Sequence, residues 1–260
     1  MLPLLLILLG AIVAAWIAGF VATTDLAVRR VDPRRYRQVV AVFPHADDET
    51  VNCGGSIRRL ASSGAHVTLV LLTAGERGNP AATIDPALGA ARIREAERAS
   101  GILGVSTLLQ QDFGDGMLRA RQREASLYLA EKIRLLEPDL ILTYDPAGLD
   151  GHPDHVACWE IVFELWRTTF PTTTLWCVAM PRRLVRILQL ARQLPAEPQL
   201  DQRRARPTAR MFVGTAVIPK IRAWYAYRSQ RGFIAKGLGR FVPAWFAVST
   251  MQFEYFADAS

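Results

Sequence analysis

Residues Val39–Glu49 read VVAVFPHADDE, and this stretch decides the fold of the chain. The apolar run Val39–Phe43 is typical of a buried β-strand. A histidine and three carboxylates follow it at once, namely His45, Asp47, Asp48 and Glu49. Unpaired, the negative charges repel one another at a strand end, so a bound divalent cation explains why they lie together.

The rest of the body repeats this alternation of short apolar runs with amphipathic stretches. Parallel strands are buried on both faces, so they read as continuous apolar runs. We therefore expect an α/β fold, a Rossmann-like and mostly parallel sheet with helices on both faces. The predicted strands are Val39–Phe43, His66–Leu72, Leu108–Gln111, Leu140–Tyr144 and Leu175–Val178. The predicted helices are Ser56–Ser63, Leu88–Leu103, Gln122–Leu136 and Asp154–Arg167.

A second polar cluster, the GHPDH of residues 151–155, follows the strand Leu140–Tyr144. The chain has four histidines, and His45, His152 and His155 fall in these two clusters. In a parallel sheet both loops can meet at one edge, where ligands bind. Two imidazoles with one carboxylate leave an open position on zinc for water, as in catalytic sites. Each cluster alone could instead be a helix cap or a polar turn. We interpret the fourth histidine, His66, as structural.

At these residues the chain resembles the LmbE-like / PIG-L family of zinc-dependent N-deacetylases, over roughly residues 39–230. The family's motifs are His-Pro-Asp-Asp-Glu and His-Pro-Asp-His, and Ala46 stands here where the family usually has proline. The resemblance implies that His45, Asp48 and His155 are the metal ligands. It implies that Asp47 is the general base. It also implies that His152, oriented by Asp154, stabilises the oxyanion or protonates the leaving amine. The same donors also suit Fe²⁺.

Softer matches to the family suggest residues that touch the substrate. The resemblance implies that Arg92 and Asp115 contact the sugar or its substituent. For Arg92 the alternative is a surface salt bridge with Glu95. Residues 220–230 resemble a late family helix, in which Tyr227 stands where many members have histidine.

The first 24 residues contain no charge, and Leu2–Ala22 is a nearly unbroken apolar run. About 20 such residues can span a bilayer as a helix. We expect an uncleaved transmembrane anchor over 1–24 and a basic juxtamembrane segment over 25–37. The deacetylase domain then covers 38–260. A cleaved signal peptide is the alternative. Five arginines lie between residues 29 and 37, which predicts a single-pass protein with its catalytic domain on the cytoplasmic side.

The chain carries 31 basic and 24 acidic residues, a net charge of +7. This balance fits anionic lipid headgroups or a phosphorylated substrate, and without a nucleic-acid motif we expect no nucleic-acid partner. The three cysteines should be buried free thiols. Residues 181–193 form a basic amphipathic pattern that fits either a membrane interface or an ordinary surface helix. Residues 195–207 are expected to be a loop.

The sequence therefore predicts an enzyme that hydrolyses the N-acetyl amide of an N-acetylglucosamine-type sugar, with a lipid-linked substrate suggested by the anchor. The alternative is a metal-dependent amidohydrolase acting on another N-acyl small molecule, such as a thiol or an antibiotic precursor. A third class, a sugar-binding protein without activity, predicts a missing ligand or base, yet all six polar residues of the two motifs are present.

Overall fold

A computed structural model describes residues 2–231 and 243–260 of the chain. The strands are β1 Arg29–Arg30, β2 Gln38–Phe43, β3 His66–Leu71, β4 Thr107–Gln110, β5 Leu140–Thr143, β6 Thr174–Ala179, β7 Ala209–Phe212 and β8 Phe253–Asp258. The helices are α1 Leu2–Thr23, α2 Asp48–Ser62, α3 Pro86–Leu103, α4 Gln122–Leu136, α5 Gly148–Gly151, α6 Pro153–Thr169, α7 Arg182–Leu190, α8 Pro198–Arg203, α9 Val217–Ala226 and α10 Ala244–Thr250.

The strands form one sheet of eight strands in the order β1-β7-β8-β6-β5-β2-β3-β4. The run from β6 to β4 is parallel throughout, as expected from its apolar strands. β8 pairs antiparallel with both β6 and β7, so the sheet is mixed and not parallel throughout. Helices α2, α3 and α9 pack together, and α4 packs on α6.

Several predictions about the chain's elements need correction. The helix expected at Ser56–Ser63 begins at Asp48, and a non-helical Cys53 kinks it. The loop expected over 195–207 contains the short helix α8. The late helix expected over 220–230 ends at Ala226, before a 3₁₀ turn over Arg228–Gln230. The strands β1, β7 and β8 were not predicted. The three cysteines are buried free thiols, as expected.

Helix α1 is long and apolar enough to cross a membrane, although a signal sequence shares these properties. Its residues 2–15 are exposed to solvent. Its last two turns pack on the body instead, where Trp16 Nε1 donates to Ser249 Oγ at 3.1 Å and Thr23 Oγ1 donates to the carbonyl of Thr250 at 3.2 Å. A Cβ at Gly19 would lie 2.8 Å from Thr250 Cγ2, so a small residue is needed at this crossing.

Candidate metal and catalytic site

Both polar clusters lie at the carboxyl ends of neighbouring strands. β2 pairs with β5, with Val39 opposite Leu140, so the loops that leave the two strands are side by side. This is the edge of an open α/β sheet where ligands bind. The first loop runs into the start of α2 at Asp48, and the second runs through α5 into α6.

Asp48 joins the two histidines that the sequence pairs with it. Its Oδ2 lies 3.4 Å from His45 Nδ1, and its Oδ1 lies 3.5 Å from His155 Nε2. All three side chains are buried. Two ring nitrogens and a carboxylate that face one another at this spacing are a donor set that suits a divalent metal. The residues present therefore fit a metal ion.

The outward nitrogens of both rings are held by acceptors. His45 Nε2 lies 3.2 Å from Asp115 Oδ1 and 3.3 Å from Asp154 Oδ2. His155 Nδ1 lies 2.9 Å from Asp150 Oδ1 and 3.1 Å from the carbonyl oxygen of Gly148. Such contacts orient a histidine toward a metal and fix which nitrogen carries the proton. They leave His45 Nδ1 and His155 Nε2 to face Asp48.

The electrostatics favour an ionised Asp48 between charged partners. Burial by itself raises the pKa of Asp48, but the charge of His155 and the hydrogen bonds from His45 and Tyr144 hold it well below its usual range. Burial lowers the pKa of His45, and the carboxylates of Asp115, Asp154 and Asp48 raise it well above its usual value. The Tyr144 hydroxyl donates to Asp48 Oδ1 at 2.7 Å, and its ring stacks on His155 at 4.1 Å between centroids.

Asp47 sits beside this cluster in a strained conformation. Its φ of 102° lies in the left-handed region that non-glycine residues rarely adopt. Its carboxylate accepts from Arg92 Nη2 at 3.2 Å, and Arg92 also donates to the carbonyl of Ala46. Burial raises the pKa of Asp47 to about 6, against the opposing charge of Arg92. Such outliers are common at functional sites.

The structure changes what the sequence suggested for Arg92 and Asp115. Arg92 pairs with Asp47, whereas Glu95 accepts from the backbone N–H and the hydroxyl of Ser229. Asp115 lies at the cavity, but its two oxygens face His45 Nε2 and the backbone N–H of Arg77. Its carboxylate therefore already has partners from the protein.

His152 stands next to both histidines, with ring centroids 5.0 Å from His45 and 4.7 Å from His155. Burial, followed by the charges of His45 and His155, lowers the pKa of His152. The expected orientation of His152 by the Asp154 carboxylate is wrong. That carboxylate faces His45 and accepts from the backbone N–H groups of Gly116 and Leu118. His152 Nδ1 instead accepts from the backbone N–H of Asp154 at 3.2 Å.

Alternative donor groupings share the same ring of His45. One group combines His45 with His152 and His155, and another combines His45 with Asp115 and Asp154. Within the second group, Asp154 is fully buried and both of its oxygens accept backbone hydrogen bonds, so this carboxylate is already held by the protein.

A cavity of about 500 Å³ opens onto these residues, and we call it the polar cavity. It is lined by His45, Asp47, Asp48, Arg77, Gly78, Asn79, Ala82, Arg92, Asp115, Gly116, His152, His155 and Gln230. In the described part of the chain, the buried Nε atoms of Arg77 and Arg92 have no hydrogen-bond partner.

Sequence reasoning missed several residues that support the site. Tyr144 ends the predicted strand, and Asp150 lies two residues before His152, yet neither was assigned a role. Glu49 belongs to the first motif, and burial raises its pKa to about 7. Its Oε1 accepts from the Tyr227 hydroxyl at 2.7 Å, at the position where many family members have histidine. Only proximity to the two motifs could have indicated these residues.

The fold and the site define an α/β protein with a His/Asp/His cluster able to take a metal at the carboxyl ends of its parallel strands. Residues 40–166 of the chain match the model of the PIG-L (LmbE-like) family, which is described as GlcNAc-PI de-N-acetylase. The chain is 38% identical over 147 residues to a 1D-myo-inositol 2-acetamido-2-deoxy-alpha-D-glucopyranoside deacetylase from Streptomyces griseus subsp. griseus. The aligned region covers 46% of this chain and 45% of that protein. The chain spans about half the length of the curated relatives it matches.

Solved structures share the fold over most of the chain. The N,N'-diacetylchitobiose deacetylase of Pyrococcus horikoshii superposes with a TM-score of 0.62 at 18% identity, covering 92% of this chain and 88% of that one. A 4-carboxy-2-hydroxymuconate hydratase from Pseudomonas putida reaches 0.61 at 20% identity, covering 86% and 96%. Since a hydratase shares the fold equally well, the likeness shows the fold alone, and the reaction has to be argued from the site.

Proposed function

We propose that the chain hydrolyses the N-acetyl amide of an N-acetylglucosamine-type sugar with the help of a zinc ion held by His45, Asp48 and His155. The observation that carries the proposal is the placement of Asp47 beside these three residues at one cavity. A metal-binding role alone does not need a buried carboxylate with a raised pKa next to the ligands. The named activities of relatives, including the inositol glucosaminide deacetylase described above, support the same reaction.

The reaction divides between the residues of the polar cavity as follows. A bound divalent metal supplies acidity to a water molecule and polarises the amide carbonyl. Asp47 accepts a proton from the attacking water, whose oxygen bonds to the acetyl carbon. His152 donates a hydrogen bond to the carbonyl oxygen as negative charge develops there. The C–N bond then breaks as the nitrogen takes up the proton that Asp47 accepted, and acetate and a free amino sugar are released.

Arg92 and Asp115 act through other residues in this scheme. Arg92 Nη2 lies 3.2 Å from the Asp47 carboxylate. Burial raises the pKa of Asp47, and the positive charge of Arg92 opposes this rise and so favours the ionised form of the base. The buried Nε of Arg92 has no hydrogen-bond partner in the described structure. Asp115 and Asp154 position His45 from behind, at 3.2 and 3.3 Å from its Nε2.

We further propose that the substrate is lipid-linked and that residues 1–24 anchor the enzyme. The proposed arrangement is a juxtamembrane segment over 25–37 and a catalytic domain over 38–260 on the cytoplasmic side. The support is the exposed apolar surface of α1 followed by exposed Arg29 and Arg30. Arginines there suit the anionic headgroups of a cytoplasmic leaflet.

The test measures acetate release and metal content on the purified full chain. We expect bound zinc near one equivalent and acetate release from N-acetylglucosaminyl glycosides. The Asp47→Ala variant should keep the metal and lose most of the hydrolysis. If metal-free protein regained activity with Fe²⁺ but not with Zn²⁺, the assignment of the metal would be wrong, whereas the proposed reaction would stand. Wild-type rates in Asp47→Ala would overturn the assigned base.

A further inference from the structure

A second cavity is lined in part by Leu149 and Asp150 of α5. It has a volume of about 440 Å³, and we call it the apolar groove. Its apolar lining includes Val51, Leu149, Val178, Met180, Leu184 and Leu188. The reaction proposed above uses none of these residues. Apolar side chains of this kind favour a hydrocarbon occupant over a sugar.

One end of the apolar groove meets the metal site. Asp150 belongs to the groove wall, and its Oδ1 lies 2.9 Å from Nδ1 of His155. Asn52 belongs to the same wall and donates to the Tyr144 hydroxyl at 3.2 Å, which in turn donates to Asp48. The groove wall therefore contains a residue, Asp150, that directly contacts a proposed metal ligand.

The other end of the apolar groove meets helix α1. Thr23, the last residue of α1, lines the groove, and its hydroxyl donates to the carbonyl of Thr250. Arg183 of α7 donates to the Val21 carbonyl at 2.9 Å, so α7 closes over the end of α1. If α1 spans a bilayer, these contacts hold the mouth of the groove at the membrane surface.

Charged groups at the apolar groove do not oppose a hydrocarbon chain. Lys220 and Glu254 on its floor are buried and pair with each other at 2.6 Å. Glu254 also accepts the backbone N–H groups of Gly55 and Ser56, so its charge is satisfied within the protein. On α7, Arg182 and Arg186 are exposed, where they suit the phosphate of a lipid headgroup.

We infer that the apolar groove binds the alkyl chain of a lipid-linked substrate while its acetylated sugar occupies the polar cavity. This inference rests on the proposed deacetylation. It adds that the enzyme recognises the lipid part by direct contact and not only by its presence in the same membrane. The groove then selects among N-acetylated sugars by the length of the chain they carry.

The first test compares chain-length selectivity in three proteins reconstituted in nanodiscs: wild type, Leu188→Trp and Leu190→Trp. Leu188 lines the groove, whereas Leu190 on the same helix is 87% exposed and does not line it. The measured quantity is kcat/KM for octyl relative to methyl N-acetylglucosaminide. A fully buried methylene is worth about fourfold, so we expect a ratio above roughly tenfold in wild type and Leu190→Trp. In Leu188→Trp the ratio should fall to within about twofold of one.

The second test does not depend on turnover. An alkyl N-acetylglucosaminide with a photoreactive diazirine near the chain end is irradiated with each protein, and labelled residues are mapped by mass spectrometry. We expect labels within residues 178–188 in wild type and Leu190→Trp, and their loss in Leu188→Trp. Acetate release with neither chain-length selectivity nor labels in the groove would overturn alkyl-chain binding in the groove, while the proposed deacetylation would stand. Groove labels without any acetate release would keep the groove and overturn the proposed reaction.

Discussion

The polar cavity and the apolar groove differ in their lining, because charged side chains dominate the first and apolar side chains the second. The polar cavity collects charged side chains at the ends of β2 and β5, and its charges are paired across the site. The apolar groove is walled in part by α7, β6 and β8, and the ion pair of Lys220 and Glu254 lies buried on its floor. If both proposals hold, chemistry and substrate selection lie in separate compartments, whose walls are linked by the contact between Asp150 and His155.

The largest expected effect is confined to the polar cavity. Asp47→Asn keeps the shape of the side chain but removes the proposed base, so kcat should fall by about 10²–10⁴-fold with the metal retained. Acetate release and metal analysis measure both quantities. The matched variant Glu49→Gln changes the neighbouring buried acid, whose Oε2 accepts from the Asp47 backbone N–H. It should cost at most about tenfold, the size of one hydrogen bond. Equal losses in both variants would remove the distinction between base and support.

The next effect concerns the floor of the apolar groove. Lys220→Met leaves the Glu254 carboxylate buried without its cation, and the free energy of unfolding should fall by about 3–5 kcal/mol. Thermal or urea unfolding in detergent measures this. The double variant Lys220→Met/Glu254→Gln should recover part of the loss, because no lone buried charge remains. A single variant as stable as wild type would mean that the ion pair is not buried and that the groove floor is open to water.

A smaller effect tests whether Asp115 positions a metal ligand or touches the sugar. Asp115→Asn should weaken metal affinity by about 10–100-fold, because the charge behind His45 is lost. Competition with a chelator measures this affinity. Asp112→Asn makes the same change in the same loop, at an exposed carboxylate that accepts the backbone N–H groups of Ala74 and Gly114. It should leave metal affinity unchanged. If Asp115→Asn left metal affinity unchanged but raised KM, Asp115 would contact the substrate instead of positioning a metal ligand.

The pH dependence of hydrolysis follows from Asp47. A base must be ionised, and burial raises the pKa of Asp47 to about 6 in the absence of a metal. A neighbouring divalent cation favours the carboxylate, so kcat/KM should rise with pH through a midpoint at or below about 6. Below the midpoint it should fall about tenfold per pH unit. The residual activity of Asp47→Asn should not show this rise with pH. If that variant keeps the same profile, the titrating group is another residue.

The parallel part of the sheet could be predicted because each strand is a continuous apolar run and each site loop follows a strand end. The antiparallel strand β8 could not. Its sequence FEYFAD contains Glu254 at a buried position, which makes sense only with Lys220 as its partner 34 residues away in the chain. Long-range pairing of this kind leaves no local pattern.

The residue types of the site could be predicted, but not all of their directions. The motifs bring His45, Asp48 and His155 together, yet Asp154 faces His45 instead of His152. That choice depends on the backbone N–H groups of Gly116 and Leu118, which a distant loop supplies. The positive φ of Asp47 was equally hidden, because a left-handed residue is usually signalled by glycine.

The smallest effect isolates that backbone strain from the chemistry of Asp47. Asp47→Gly and Asp47→Ala both remove the carboxylate and its contact with Arg92, so they differ only in what the φ of 102° costs. Left-handed strain of about 1–3 kcal/mol, less the entropy that glycine loses on folding, should make Asp47→Gly more stable than Asp47→Ala by about 1 kcal/mol. Unfolding of the metal-free proteins measures the difference. At Ala130, inside α4, the change to glycine should have the opposite sign, a loss of about 0.5–1 kcal/mol. If glycine destabilises both positions alike, the polar cavity stores no strain at its proposed base, and the two compartments differ only in polarity.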